Sequence, residues 1–214
     1  MSLVKFYKKF YTVCSWRYKM QTVGVEQVRE DKTYLMLPNH VSFIEPILTF
    51  SNLWRTPFRP MSTAYLFRIP LVGWCLRHID AILVPDMEKK DARAAVAYAH
   101  TLKDIALDTL RGHRNLGIYP SGHVQYKNEY KENLGNRRLA YEICKELPDG
   151  VEVLLVRSSG TEHSITARHK WKPCLFKRRK VKIVYEIHTE EVKQWAQTLT
   201  RREFNEQLEK WYNQ

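Results

Sequence analysis

The sequence predicts an α/β fold: a single domain whose mixed, largely parallel sheet is flanked by helices, preceded by an N-terminal amphipathic helix. Three observations carry this expectation. Short apolar or β-branched segments alternate with longer stretches of helical periodicity, the pattern of a parallel sheet with crossover helices. At 214 residues the chain is long enough for one domain with a real core and short for two. No internal repeat, low-complexity stretch or linker divides it.

The elements follow in order. Residues 3–19 carry aromatics among lysines and arginines and no acid. Leu3, Phe6, Tyr7, Phe10, Tyr11, Val13 and Cys14 fall near one side at helical spacing, with Lys5, Lys8 and Lys9 towards the other. A basic helix over residues 1–20 with an aromatic face suits a membrane interface. Docking on its own domain is the competing reading. Strands are expected at 33–37, 81–84, 115–119, 151–156 and 181–187, each short, apolar or β-branched, with turn residues nearby. Helices are expected at 46–54, 66–79, 88–111, 136–147 and 200–212. The best of them, 88–111, is rich in alanine and has an apolar face.

Charge and cysteines narrow the classes. Lys plus Arg exceed Asp plus Glu by twelve, which points to an anionic partner. Cys14, Cys75, Cys144 and Cys174 are scattered, as for free thiols in a reducing compartment, so no zinc site is expected. No apolar run reaches the roughly 20 residues of a bilayer span, and the start of the chain lacks the pattern of a secretory signal. The expected location is cytoplasmic, peripheral on the inner face of the membrane.

The segment "LPNHVSFIEP" (37–46) holds the candidate chemistry. His40 and Glu45 follow directly on an expected strand, where the C-terminal edge of an open α/β sheet usually builds its site. A carboxylate there would accept the imidazole N–H, fix its tautomer and support the charge formed when the other nitrogen takes a proton. Asn39 would pin the loop, and Ser42 would do the same or contact substrate. The competing reading is a capping box, with Glu45 reaching back to Ser42. That box would set Pro46 where its missing N–H should bond to the cap, so the proline argues against it.

On these residues the chain resembles the PlsC-type glycerolipid (1-acylglycerol-3-phosphate or lysophospholipid) acyltransferase family. The first motif of that family stands here as "NHVSFIE", with Glu45 in place of aspartate. "VGVEQVREDKTYLMLPNH" resembles the glycine, acidic loop and strand leading into it. "AYLFRIPLVGWCLRHIDAILV" resembles the second block, "LGIYPSGH" holds the place of the Phe-Pro-Glu-Gly-Thr block, and "LGNRRLA" and "VLLVRSSG" follow in order. Over residues 22–160 this order is far more specific than any one motif.

The resemblance implies transfer of an acyl group from acyl-CoA or acyl carrier protein, as co-substrate, to a lipid hydroxyl or amine in phospholipid biosynthesis, with no cofactor or metal. His40 would be the general base and Glu45 its orienting acid. Asn39, Ser42, Thr63, Tyr119, Ser121, Gly122 and His123 are the expected substrate-binding set, with backbone amides near Ser121 and Gly122 as oxyanion donors. Residues 21–214 would form the acyltransferase-like domain.

Departures from the pattern bear on the acceptor. The three cations that hold an acceptor phosphate in the family are replaced at Thr63, Asp86 and near Val124, Ser121 stands for the third-block glutamate, and Leu155 for a proline. The expectation is therefore an acceptor other than the usual lysophosphatidic acid, unless Arg59, Arg68 or Arg77 supplies the missing charge. A catalytically altered protein binding acyl chains, carrier protein or membrane is the alternative.

A second basic run, Arg168 to Lys182, has eight Lys or Arg, no acid, and Trp171 and Phe176 among them. Such a run is usually a solvated face, partly the outward side of a strand at 180–187; of the sharper readings, an anionic membrane surface is favoured ahead of coenzyme A phosphates or an acidic carrier. No motif resembles a nucleic-acid module, so nucleic acid is not expected.

Overall fold

The computed structural model describes residues 2–85, 92–124, 134, 137–161 and 179–214, with side chains in the fifth helix described from residue 97. Helix α1 (Leu3–Arg17) leads into β1 (Tyr18–Val23), a 3-10 turn at Val25–Gln27, and β2 (Thr33–Pro38). Then come α2 (Glu45–Asn52), β3 (Phe58–Thr63), α3 (Ala64–Arg68), α4 (Pro70–His78) and β4 (Ile82–Val84). The second half runs α5 (Ala92–Arg111), β5 (Asn115–Gly117), α6 (Leu139–Lys145), β6 (Val151–Ser159), β7 (Arg179–Ile187), α7 (Thr189–Thr198) and α8 (Arg201–Tyr212).

The strands form one seven-stranded sheet in the order β1-β7-β6-β2-β5-β3-β4. Only the β6–β7 ladder is antiparallel among those described; the others are parallel. This is the mixed, mostly parallel α/β sheet that the alternation predicts. Central β2 is buried at every position, as a strand covered on both faces must be. Its side chains alternate between two cores. Leu35 and Leu37 join the layer built by α5, α6, α7 and α8, whereas Tyr34 and Met36 join the layer under α1 and α2.

Several elements differ from expectation for identifiable reasons. The N-terminal helix stops at Arg17, and Tyr18–Val23 instead pairs in parallel with β7. Its alternation of half-buried and exposed positions begins inside the basic segment 3–19 and was masked by it. Nor is α1 a separate unit: Phe6, Tyr7 and Cys14 are buried, and the Tyr7 hydroxyl donates to the Phe58 carbonyl at 2.7 Å. Much of the aromatic face is therefore core, while Val13 and Trp16 stay exposed. Strand β3 contains Pro60, which reads as a strand breaker, yet it pairs with Gly117 of β5, and the β4 ladder on the other side begins only at Met61. The helix expected at 66–79 divides at Ile69, which Pro70 drives to an extended conformation (φ −76°, ψ 119°). Helix α7 has a narrow inward stripe, Val192 and Ala196, within a polar sequence. Helix α8 begins on a complete capping box, Thr200 with Glu203.

Gly117 sets how closely α2 approaches the sheet. A β-carbon there would lie 2.5 Å from the Phe50 ring, so the absence of a side chain lets the helix press onto β5. At the far end, the Tyr212 hydroxyl donates to the Leu37 carbonyl at 2.9 Å, tying α8 to the strand that delivers the histidine loop. Asp86 and most of Arg168–Lys182 lie outside the described residues.

Candidate active site

Strands β2 and β5 are adjacent and parallel. After β2 the chain passes through α2 to β3; after β5 it passes through α6, on the opposite face, to β6. Neighbouring strands whose onward connections diverge leave a crevice at their C-terminal ends. His40 and Glu45 follow β2 at that edge of the sheet, and Tyr119 lies two residues beyond β5.

His40 Nδ1 lies 3.1 Å from Glu45 Oε2. The Glu45 side chain is wholly buried (0% exposed) and that of His40 is 14% exposed. The other carboxylate oxygen, Oε1, accepts from Thr49 Oγ1 at 2.9 Å and from the Tyr119 hydroxyl at 3.1 Å. The Tyr119 ring also packs on the imidazole, with centroids 4.2 Å apart and planes inclined by 36°. Burial pushes the Glu45 carboxyl above its ordinary value, and its bonds to His40, Thr49 and Tyr119 oppose that rise. Burial, then the neighbouring carboxylate, pushes the Tyr119 phenol well up, so the phenol keeps its proton and donates.

Local sequence explains the arrangement. The Glu45 amide donates to Ser42 Oγ at 3.2 Å, so half of the capping box forms. The reciprocal half does not, because the carboxylate turns to His40, Thr49 and Tyr119 instead of back to Ser42. Pro46 sits in the first turn of α2, where its missing N–H costs nothing. Asn39 is held to β6: its Nδ2 donates to the Ser158 carbonyl at 3.0 Å and its Oδ1 accepts the Ser158 amide at 2.7 Å. It therefore pins the loop. Thr49, one helical turn after Glu45 and facing the same way, was absent from the expected set; its i,i+4 spacing was the available signal.

The third block forms a tight turn. The Gly122 amide donates to the Tyr119 carbonyl at 3.0 Å, and Gly122 has φ +68°. That amide closes the turn, which corrects the expectation that it faces an oxyanion. Ser121 is buried and its hydroxyl donates to the His123 carbonyl at 2.9 Å. His123 Nδ1 lies 2.8 Å from the Ser121 carbonyl, so Nδ1 carries the proton, and Arg137 at 3.4 Å is a packing neighbour. Thr63 is exposed at the C-terminal end of β3, where it caps α3 with its backbone. Arg59 cannot replace the missing charge there. It lies near the other end of β3 and is committed to Asp80 and to Thr109 Oγ1. Arg77 donates to the Phe67 carbonyl.

Among the described residues, no group of three or more His, Cys, Asp or Glu is placed to hold a metal ion, and no helix is long and apolar enough to cross a membrane.

Comparison with known proteins bears on this geometry. No curated protein matches the chain. The fold is similar to the crystal structure of the 1-acyl-sn-glycerophosphate (LPA) acyltransferase PlsC from Thermotoga maritima, with a TM-score of 0.58 and 20% identity over 95% of this chain and 79% of that one. At that identity the likeness speaks for the fold. The family model described as Acyltransferase matches residues 19–157, from within β1 to within β6, and includes the whole stretch from His40 to Tyr119. The chain belongs to the Acyltransferase family and is an acyltransferase.

Proposed function

We propose that the protein moves a fatty acyl group from a thioester, acyl-CoA or acyl carrier protein, to a hydroxyl or amine of a lipid-type acceptor. His40 is the general base in this reading and Glu45 its orienting acid. One observation carries it: a buried carboxylate 3.1 Å from Nδ1 of a histidine at the C-terminal edge of a parallel sheet. With the Nδ1 proton held by Glu45, Nε2 is the basic nitrogen. It takes the proton of the acceptor as the acceptor's oxygen or nitrogen bonds to the thioester carbon. The C–S bond then breaks, and the imidazolium returns the proton to the departing thiolate.

The acceptor is favoured as one without a doubly charged phosphate at the usual place. Thr63 has no charge to offer, and Arg59 is committed elsewhere. Exposed apolar side chains support docking on the anionic, cytoplasmic face of a membrane. Leu71 and Trp74 of α4 are 73% and 53% exposed, Trp16 of α1 is 77% exposed, and Arg17, Arg68 and Arg77 lie on the same helices or on α3 between them.

Purified protein and its His40→Ala variant, given an acyl thioester and lysolipid acceptors, test the reading. The variant is expected to lose about 10²–10⁴ in rate. Undiminished transfer by the variant refutes the base assignment. Mass spectrometry of lipid extracts from cells expressing each form names acceptor and chain together.

A further inference from the structure

Glu45 is one methylene longer than the aspartate of the motif it resembles, and Tyr119 carries a hydroxyl where that motif has phenylalanine. The two differences meet in space, since the phenol donates to Glu45 Oε1 at 3.1 Å. We infer that Tyr119 is a positioning residue for the dyad, its ring supporting the imidazole and its hydroxyl holding the Glu45 carboxylate ionised and aimed at Nδ1. This rests on the His40–Glu45 reading above and adds a third member to it.

A carboxylate with no solvent contact must find donors within the protein or take up a proton. Oε2 has the imidazole, and Oε1 has Thr49 and Tyr119. Thr49 alone would leave Oε1 short of a donor, and a protonated Glu45 would no longer stabilise an imidazolium. The phenol is well placed to be the second donor because Phe50 backs it edge-on, with ring centroids 6.3 Å apart. The titratable groups acting on the carboxylate are His40 from the loop after β2, Tyr119 from beyond β5, and Tyr185 from β7, whose hydroxyl is turned to the Thr49 carbonyl. Tyr7 of α1 lies further back, beside the tyrosines.

Removing the hydroxyl has a defined direction. The pair without this donor binds a proton more tightly, whichever of its two sites takes it. The acid limb of kcat/KM must therefore move to higher pH, a change that a purely packing role for Tyr119 would not produce.

The experiment is a double-mutant cycle with Tyr119→Phe, Glu45→Asp and both together, read by kcat/KM against pH. Tyr119→Phe keeps the ring on His40 and is expected to lower kcat/KM about ten- to hundredfold, as for a bond to a charged group. Its acid limb should shift upward by about one pH unit. In the Glu45→Asp background the carboxylate is withdrawn from the phenol, so adding Tyr119→Phe should cost little more. Equal losses in both backgrounds, or an unmoved acid limb, overturn the inference. Titration of the imidazole and carboxyl resonances by NMR needs no substrate: an upward shift in Tyr119→Phe supports the contact and no shift overturns it. Should His40→Ala retain full activity, the dyad itself fails, and the NMR result still decides the Tyr119 contact separately.

Discussion

Replacing Glu45 by glutamine removes one charge while keeping nearly the same volume, and its effect can be worked from the geometry. The carboxylate oxygen is 3.1 Å from Nδ1, so the centres of the two charges lie somewhat further apart. Unit charges about 4 Å apart at an effective dielectric of about 20 attract by about 4 kcal/mol. That stabilisation acts on the imidazolium, which exists only after proton transfer has begun. Its loss therefore slows the step by about three powers of ten, since each factor of ten is about 1.36 kcal/mol. The tautomer changes too: a glutamine NH2 facing Nδ1 asks it to accept, which moves the ring proton to Nε2 and blocks the base. Steady-state acyl transfer with a thiol-trapping readout should show a kcat fall of about 10²–10⁴.

Stability should move the other way. Burial raises the Glu45 carboxyl above its ordinary value of 4.5, so ionising it costs the folded state. The cost is absent below pH 4.5 and develops as pH rises through the elevated folded value. Glu45→Gln should match the wild type in acid and gain on it towards neutrality, as replacements of buried charges can. A Glu45→Gln enzyme with unimpaired turnover refutes the electrostatic account of the dyad.

Three further outcomes are expected. Gly117→Ala drives a β-carbon to within 2.5 Å of the Phe50 ring and should cost about 1–3 kcal/mol, or about 2–4 °C in Tm for each kcal/mol, by thermal unfolding. Burial opposes protonation of His188, but Glu186 and Glu191 outweigh it and hold the imidazole above 6.5. The resulting stabilisation is complete below pH 6.5 and fades as pH rises through the elevated value, so His188→Gln should flatten that part of the stability profile. Leu71→Ser with Trp16→Ser should weaken sedimentation with anionic liposomes and change Tm by no more than about 2–4 °C, because both side chains are about three-quarters exposed.

Sequence periodicity disclosed the parts of the fold that have a single environment. β2 and β6 read plainly because apolar residues dominate both, and α8 because its cap and its stripe agree. β1 and β3 were hidden because their places in the sheet are fixed by distant partners: Tyr18–Val23 by β7, and Phe58–Thr63 by β4 and β5. In the candidate site, the contact of His40 with Glu45 was legible from a loop that follows a strand and meets a proline. The Tyr119 hydroxyl was not, because no spacing rule links positions 45 and 119; only the adjacency of β2 and β5 brings them together. Asn39 shows the same limit from the other side. Its place in the motif was clear, but its attachment to Ser158 depends on the register of β6.

Pairing of Tyr18–Val23 along β7 makes the first strand a guard rail for the sheet. Stripping residues 2–23 would bare the unpaired amides of β7 and uncover the apolar floor that Phe6, Tyr7 and Cys14 roof over. Such an edge invites strand-to-strand association between molecules. A shortened protein should therefore self-associate before it loses its chemistry, and trimming the basic leader to improve solubility would achieve the reverse.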